Sequence, residues 1–524
     1  MKKKIAEQRT LEDGSISIKD TKSGKETLVF DATKVQRVSF VKYALDAYAQ
    51  FAMDTLIRYI PRIEDGLRLS SRRVMYQVMS VQSLTKAARI VGEVLGRLHP
   101  HSDTAAYGAL VSMCNKAHIP FAHGQGNWGN VLENEGAAAM RYPEVKAHKN
   151  LNVLLDKESA NVTPMVSNFD GTTVEPYFVM MKLPPLLLND SWGSTVGYTM
   201  GIPSHNLIEV AEACIASIKS NFKLSPKKAA SIIKAPDHRV YSCIYNIDED
   251  EWIKIMETGI GKIGSMMQYE YIEGGIRITA LPYKMRIDTF LDKLYMLDDK
   301  YKLLKDIDDQ TQNDICNITL MFKKTTPAAK PLNEDFIMKL SAKTSNNIFY
   351  KVLTCEQIVE ESPSLSDGAS WDLFETGLTT IINHHGELRK SYKLKSLSKY
   401  ILKLEFDIMI EQFKLEISKN PDAFFAILKS SKTDEEAINK CVTKYKIFDY
   451  EICEKVIKNG SFTSFINKDE KIVKEMERLN NLVKETQWKI DNIDKYMISE
   501  LEDVIGKLGS PRESMVIMHK ADKV

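Results

Sequence analysis

Arg141-Tyr142 closes a glycine- and alanine-rich stretch, HGQGNWGNVLENEGAAAMRYPEV. A phenol has a pKa of about 10, so only about one in a thousand is ionised at pH 7 and a tyrosine nucleophile needs help. An adjacent guanidinium gives it by stabilising charge on an oxygen or a phosphate. The glycines let one backbone approach another closely. Taken alone, a tyrosine such as Tyr142 is usually filler of core or surface. Two basic segments precede it. RYIPRIEDGLRLSSRRVMYQVM brings together Arg58, Arg68, Arg72 and Arg73. TKAARIVGEVLGRLHPHSDTAAYGALVSM carries Lys86, Arg89, Arg97, His99 and His101. Arginines in the first turn of a helix face its positive end, which favours a nearby anion such as phosphate. The bland alternative is a solvated charged face.

The elements that must position these groups can be read from spacing. Asp65-Gly66 marks a turn, after which SSRRVMYQVM starts a helix with Ser70 or Ser71 expected at its cap. The segment after Thr85 reads as an amphipathic helix ended by HPH. SDT then caps a second helix, AAYGALVSM, giving a helix-turn-helix pattern whose second helix suits a major groove. Residues 1–40 are polar and irregular, with a hairpin expected in DGSISIKDTKSGKETLVF around SGK. Residues 161–370 mix helical stretches with alternating ones (IRITALPY, ICNITLMF, RVYSCIYN), an α+β pattern. After about 372, Leu394, Leu397, Ile401, Leu404, Ile408 and Leu415 follow 3,4 spacing. Ile472, Met476, Leu479, Val483, Ile490, Ile493 and Met497 follow it again. The two stretches predict the arms of an antiparallel coiled coil, or two helices of an ordinary bundle.

The 524 residues carry 71 basic and 70 acidic side chains, a net charge of +1 that does not point to nucleic acid. Residues 51–150 hold 12 Lys/Arg against 8 Asp/Glu, a modest local surplus. No apolar run reaches the roughly 18–20 residues that span a bilayer. The basic start lacks an apolar segment behind it, so no secretory signal is expected. Seven cysteines lie singly, without metal spacing, and are expected as reduced thiols in a cytoplasmic protein.

Taken in order, the segments resemble the A subunit of bacterial DNA gyrase and topoisomerase IV, and the medium subunit of T-even phage topoisomerases. The resemblance is carried by DGLRLSSRRVMY, ARIVGEVLGRLHPHSDTAAY, GQGNWG with AAAMRY, and LPPLLLNDSWGSTVGYTMGIPSHNLIEV. It spans roughly residues 45–215 and continues more weakly through ALPYKM, LKDIDDQT and INHHGELRK to about 512. It implies a multidomain α+β chain, mostly α. Its parts would be an N-terminal extension (1–40), a winged-helix DNA-cleavage domain (41–160), an α/β tower domain (161–371), a long antiparallel coiled coil with a C-terminal dimer gate (372–510) and a tail (511–524).

By the same resemblance, Tyr142 attacks DNA, giving a 5′-phosphotyrosine, with Arg141 and Arg58 stabilising the phosphate. Arg68, Arg72, Arg73, His99, His101, Gln125 and Asn127 hold double-stranded DNA. Ser194 takes the place of the family's DNA-bending isoleucine, which leaves Trp192 as a substitute wedge. Thr104 and Gly108 stand at quinolone-contact positions, where the missing acid predicts low drug sensitivity. Ser71 replaces a histidine, and a one-residue deletion falls between Ala52 and Arg58. The implied assembly is a homodimer joined to a gyrase-B-like ATPase subunit in a heterotetramer. That partner would bind ATP and hold most of the Mg²⁺, with no metal site on this chain; no GxxxxGK[ST] occurs here. The chain ends without a β-pinwheel domain, so relaxation and decatenation are expected rather than negative supercoiling. The rival readings are a DNA-binding scaffold of the same fold that has lost cleavage, and a single-chain tyrosine recombinase or nickase that cuts without a partner.

Overall fold

The computed structural model describes residues 6–12, 16–20, 26–30, 39–116, 118–133, 135–312, 314–357, 371–459, 462, 466 and 468–519. Contacts divide the chain into Met1–Leu56 and Ile57–Val524. In the first unit, strands β1 (Ala6–Thr10), β2 (Ile16–Asp20) and β3 (Glu26–Phe30) pair in sequence order as an antiparallel sheet. The expected hairpin is therefore present as β2 and β3, while its SGK turn lies outside the described residues. Helix α1 (Phe40–Tyr59) crosses the boundary. Along its first three turns Phe40, Val41, Tyr43, Leu45, Tyr48 and Phe51 are all exposed.

The second unit begins with helices α2 (Leu69–Met79), α3 (Ala87–Arg97) and α4 (Asp103–Val111). Their apolar residues recur at three- and four-residue steps, and these faces meet: Val74, Met75 and Val78 with Ile90, Val91 and Val94, and with Ala106 and Leu110, all buried. A small antiparallel sheet stands beside them, ordered Thr85–Lys86, Glu144–Ala147, Ala122–Gln125. The α2 cap differs from expectation. Arg68 is the N-cap residue and makes no side-chain cap bond, so Ser70 and Ser71 fall inside the first turn. The turn before α2 is tied instead by Asp65, whose Oδ1 accepts from the Leu67 amide at 3.0 Å.

Beyond residue 161 the α+β reading is met chiefly by two larger sheets among the described residues. The larger has six strands, ordered Met515–His519, Ile244–Asp248, Ile260–Met266, Asn346–Lys351, Tyr198–Ile202, Ser191–Thr195. The smaller is antiparallel and contains IRITA and ITLMF as Gly275–Ala280 and Ile318–Phe322. Of RVYSCIYN only the end, from Ile244, is strand. The stretch expected as a tail is partly built in: Met515–His519 pairs in parallel with Ile244–Asp248, and Arg512 grips Glu209 at 2.6 Å.

Two long helices pack together where the coiled-coil arms are expected. The outgoing helix, Leu378–Lys419, runs for 42 residues, about 63 Å at 1.5 Å per residue. The returning helix, Asp469–Asp491, packs along it, with Leu404 and Ile408 meeting Leu479. The expected returning stripe does not stay on one helix. It breaks at Asn492, and Ile493 and Met497 are buried in the next helix, Ile493–Leu508. Between the arms three short helices enclose a core of Phe413, Phe424, Ile438, Cys441, Ile452, Cys453 and Ile472. At the root of the arms Arg389 and Lys393, both buried, meet Asp156, Glu158 and Glu500.

Candidate active site

Tyr142 lies two residues before strand Glu144–Ala147 and is 61% exposed. Its loop is held by the start of α3. The first amides of a helix lack intrahelical partners, and here Ala87 N donates to Pro143 O at 3.0 Å and Ala88 N to Met140 O at 2.9 Å. Lys86 Nζ adds a bond to Tyr142 O at 3.1 Å and pairs with Glu144 at 3.0 Å. From the other side the Tyr107 hydroxyl on α4 donates to Ala138 O at 2.5 Å. The Arg141 guanidinium stands 4.7 Å from the Tyr142 ring centroid, a cation–π distance. The phenol and a cation are thus presented together on a loop fastened at four points.

The glycine-rich loop is folded by its own polar groups. Asn127 Oδ1 accepts from Gly129 N at 2.7 Å, Asn127 Nδ2 donates to Glu135 at 2.7 Å, and Asn127 O accepts from Ala138 N at 3.1 Å. Asn127, expected at DNA, is committed to the loop. Gly129 has φ +87°, and a Cβ there would come 2.5 Å from Glu135 O, so only glycine fits. Gln125 is exposed on its strand.

Three expected DNA contacts are buried instead. Arg72 binds Asp65 with two bonds of 2.6 and 2.7 Å. Arg73 binds Glu175 with bonds of 2.7 and 2.6 Å and donates to His99 Nδ1 at 2.7 Å. The anions answering these arginines are carboxylates of this chain, so in this structure neither arginine faces a phosphate. His99 is buried with them. Its pKa is pushed down to about 3, first by burial and then by the charges of Arg73, His101 and Arg58, so the ring is neutral and accepts from Arg73. His101 is exposed, edge-on to His99 at 4.7 Å. Arg58, in the last turn of α1, belongs to this cluster, whereas Arg141 lies at Tyr142. Arg68 is half-buried and donates to Trp192 O at 2.9 Å.

Ser194 is exposed near the tip of the hairpin formed by Ser191–Thr195 and Tyr198–Ile202, opposite Thr199. Trp192 is exposed, with Lys284 Nζ 3.7 Å above its ring. Thr104 and Gly108 are both exposed on α4, and a Cβ at Gly108 would meet nothing within 4 Å.

The carboxylates beside Tyr142 do not form a divalent-ion set. Glu144 is paired with Lys86 and Glu135 with Asn127. The Asp156–Glu158–Glu500 group is the one three-carboxylate cluster among the described residues. It is filled by the chain's own cations, with Lys393 Nζ at 3.2, 3.0 and 2.8 Å from the three side chains. Sequence reading missed Glu175 and Tyr107, and it gave Asp65 only as a turn residue and Lys86 only as one of several basic side chains. Tyr107 lies within a helical segment already singled out, whereas nothing marked Glu175.

No described helix is long and apolar enough to cross a membrane. The chain is 26% identical over 504 residues to the A subunit of DNA gyrase from Metamycoplasma arthritidis, covering 93% of this chain and 53% of that one. It is 33% identical over 289 residues to the A subunit of DNA topoisomerase 4 from Escherichia coli K12, covering 53% of this chain and 38% of that protein. The corresponding Pseudomonas aeruginosa protein is 32% identical over 305 residues, 55% of this chain and 39% of that one. The chain therefore spans about half, or less, of the length of these relatives. The family model for the A subunit of DNA gyrase/topoisomerase IV matches residues 58–502, and the chain belongs to that family.

Proposed function

We propose that the chain is the DNA breakage-reunion subunit of an ATP-dependent type IIA topoisomerase. The carrying observation is Tyr142 itself: an exposed phenol with Arg141 against its ring, on a loop fastened to α3 and α4. Tyr142 Oη forms a bond to a DNA phosphorus as the bond from phosphorus to the 3′-oxygen breaks. The phenol gives up its proton and the departing 3′-oxygen gains one. The product is a 5′-phosphotyrosine, and the reverse step reseals the strand. One phosphodiester replaces another, so cleavage itself consumes no ATP. Arg141 and Arg58 neutralise charge on the phosphate. His101 and Gln125 supply exposed backbone contacts beside the half-buried Arg68, while the buried Arg72, Arg73 and His99 brace them from beneath and Asn127 holds the glycine-rich loop. The reading keeps residues 41–160 as a winged-helix cleavage domain, 161–371 as a tower domain, and 372–510 as coiled coil and dimer gate.

Partners follow from surfaces left apolar. The exposed aromatic and aliphatic residues of α1 suit a gyrase-B-like ATPase chain, and Ile447 (79% exposed) with Tyr450 among the tip helices suits a second copy of this one. The residues around Tyr142 do not fit a divalent ion, so Mg²⁺ and ATP are assigned to that ATPase partner. Duplex passage, seen as relaxation and decatenation, is the expected outcome.

The test mixes this chain with its partner subunit, Mg²⁺ and plasmid, then adds detergent. DNA covalently attached at Tyr142 is the expected result. Tyr142→Phe should abolish attachment and leave duplex affinity within about tenfold, because one neutral contact is worth about 0.5–1.5 kcal/mol. A second reading, a binding scaffold without cleavage, draws on the burial of Arg72, Arg73 and His99. Wild-type protein that binds DNA and never becomes attached to it would establish that reading instead.

A further inference from the structure

We infer that the outer face of the outgoing arm helix is a second duplex-binding surface, separate from the cleavage site and built from Lys395, Lys399 and Lys403. From Leu388 to Leu404 that helix holds six basic residues and no acidic one. Three of the six are answered by carboxylates on other elements. Arg389 and Lys393 are buried against Asp156, Glu158 and Glu500, and Lys390 pairs with Asp494 at 2.7 Å. The other three are exposed and stand four residues apart, on the side of the helix away from Leu397 and Leu404. None has a hydrogen bond or ion pair among the described residues; the nearest approach is Lys395 Nζ at 6.0 Å from the Tyr392 ring. Asp407, the next acid in the row, makes no ion pair with Lys403.

Several other basic side chains of the arms are laced to acids at three- or four-residue steps. Lys414 pairs with Glu411, Lys419 with Glu416, Arg478 with Glu475 and Lys489 with Glu485. Like charges at four-residue spacing weaken a helix, so an unrelieved row of three is a cost that a polyanion removes. At 1.5 Å per residue the row is about 12 Å long. A duplex presents one phosphate per 1.7 Å of axis, about seven over that length. The exposed hydroxyls of Ser391 and Ser398 border the row and can donate to phosphate oxygens, as such side chains do at DNA backbones. Beside the row, Leu402 (68%) and Tyr400 (42%) are the exposed large apolar side chains. A packed protein helix would need more such contacts, so the chemistry favours nucleic acid over an acidic polypeptide.

The occupant's identity rests on the topoisomerase reading, in which a second duplex passes the arms; the charge row does not. The test uses the full chain with its ATPase partner. The variant is Lys395→Gln/Lys399→Gln/Lys403→Gln, and a photoreactive phenylalanine analogue replaces Leu402 for cross-linking. With plasmid, the wild type should cross-link to DNA through position 402. Each phosphate contact contributes about 0.9 to the slope of log affinity against log salt, so the triple variant should lose up to about 2.7. It should also pass duplexes about tenfold more slowly while Tyr142-linked DNA forms to the wild-type level. Cross-linking to polypeptide, or an unchanged salt slope, overturns the proposal. If wild-type protein forms no Tyr142-linked DNA, the topoisomerase reading fails, and the cross-link and slope still report on the stripe.

Discussion

Lys393→Met tests how firmly the arms are joined to the body that carries Tyr142. The Lys393 ammonium is fully buried and reaches Asp156 at 3.2 Å, Glu158 at 3.0 Å and Glu500 at 2.8 Å. Methionine keeps the volume but leaves Asp156 and Glu500 to Arg389 and leaves Glu158 with Lys489 at 4.0 Å and the Tyr496 hydroxyl at 2.9 Å. Removing one partner from a buried ion set costs about 3–5 kcal/mol. An independent measure comes from Asp156. Burial alone would raise its pKa, but Arg389 first and Lys393 second overcome that and hold it at about 2 against an ordinary 3.8. That difference corresponds to about 2.5 kcal/mol favouring the charged form. A folded-state pKa below the unfolded one stabilises above the unfolded value, so this contribution is present above about pH 3.8 and is lost as pH falls towards 2. The assay is thermal unfolding followed by circular dichroism at pH 7 and pH 4. At pH 7 the variant should melt roughly 3–5 °C lower, from about 1 °C per kcal/mol for a unit as long as Ile57–Val524. At pH 4 the gap should narrow, because protonation relieves the excess negative charge. A variant within about 1 °C of wild type at pH 7 (roughly 1 kcal/mol), or a gap equal at both pH values, would refute the claim that Lys393 compensates a buried acidic cluster.

Tyr107→Phe deletes the bond to Ala138 O and should slow formation of Tyr142-linked DNA by about tenfold, from about 1–1.5 kcal/mol of lost positioning, with duplex affinity unchanged; quenched-flow cleavage checks it. His99, pushed down to about 3, should stay neutral throughout pH 5–8 by NMR. A depressed histidine pKa costs stability as pH falls from about 6.5 towards 3, because the unfolded chain binds the proton first; a His99 that titrates near 6.5 would sink this. Gly129→Ala forces a Cβ against Glu135 O at 2.5 Å, so cleavage by a glutamate-specific protease at Glu133 or Glu135 should rise while the melting of the arms stays unchanged.

Much of the site was legible in the residue order alone. Arg141-Tyr142, the α2–α4 helices and both arms were marked by motif or by 3,4 periodicity, which a local window reports. Partnerships across sequence were not visible. Arg73 meets Glu175 across 102 residues, and Asp156 meets Arg389 across 233. Neither pairing imposes a repeat on either segment, so RR read as a phosphate clamp when each guanidinium was already taken. The break at Asn492 was hidden for a related reason: an apolar stripe persists across a helix interruption if the second helix turns its own apolar side inward. The strand Met515–His519 exists because an edge at Ile244–Asp248 accepts it, a fact about the sheet rather than about MVIMH.

The capping of α3 by the Tyr142 loop has a further consequence. Two carbonyls that flank the tyrosine serve as the missing end of a helix, so the loop cannot lift away without exposing two amides that have no other partner. The phenol therefore inherits the stiffness of an eleven-residue helix, although it sits in irregular backbone. Whatever tilts that helix when a duplex seats on it also steers the nucleophile by the same rotation, which offers a route from substrate fit to reactivity without any separate moving lid.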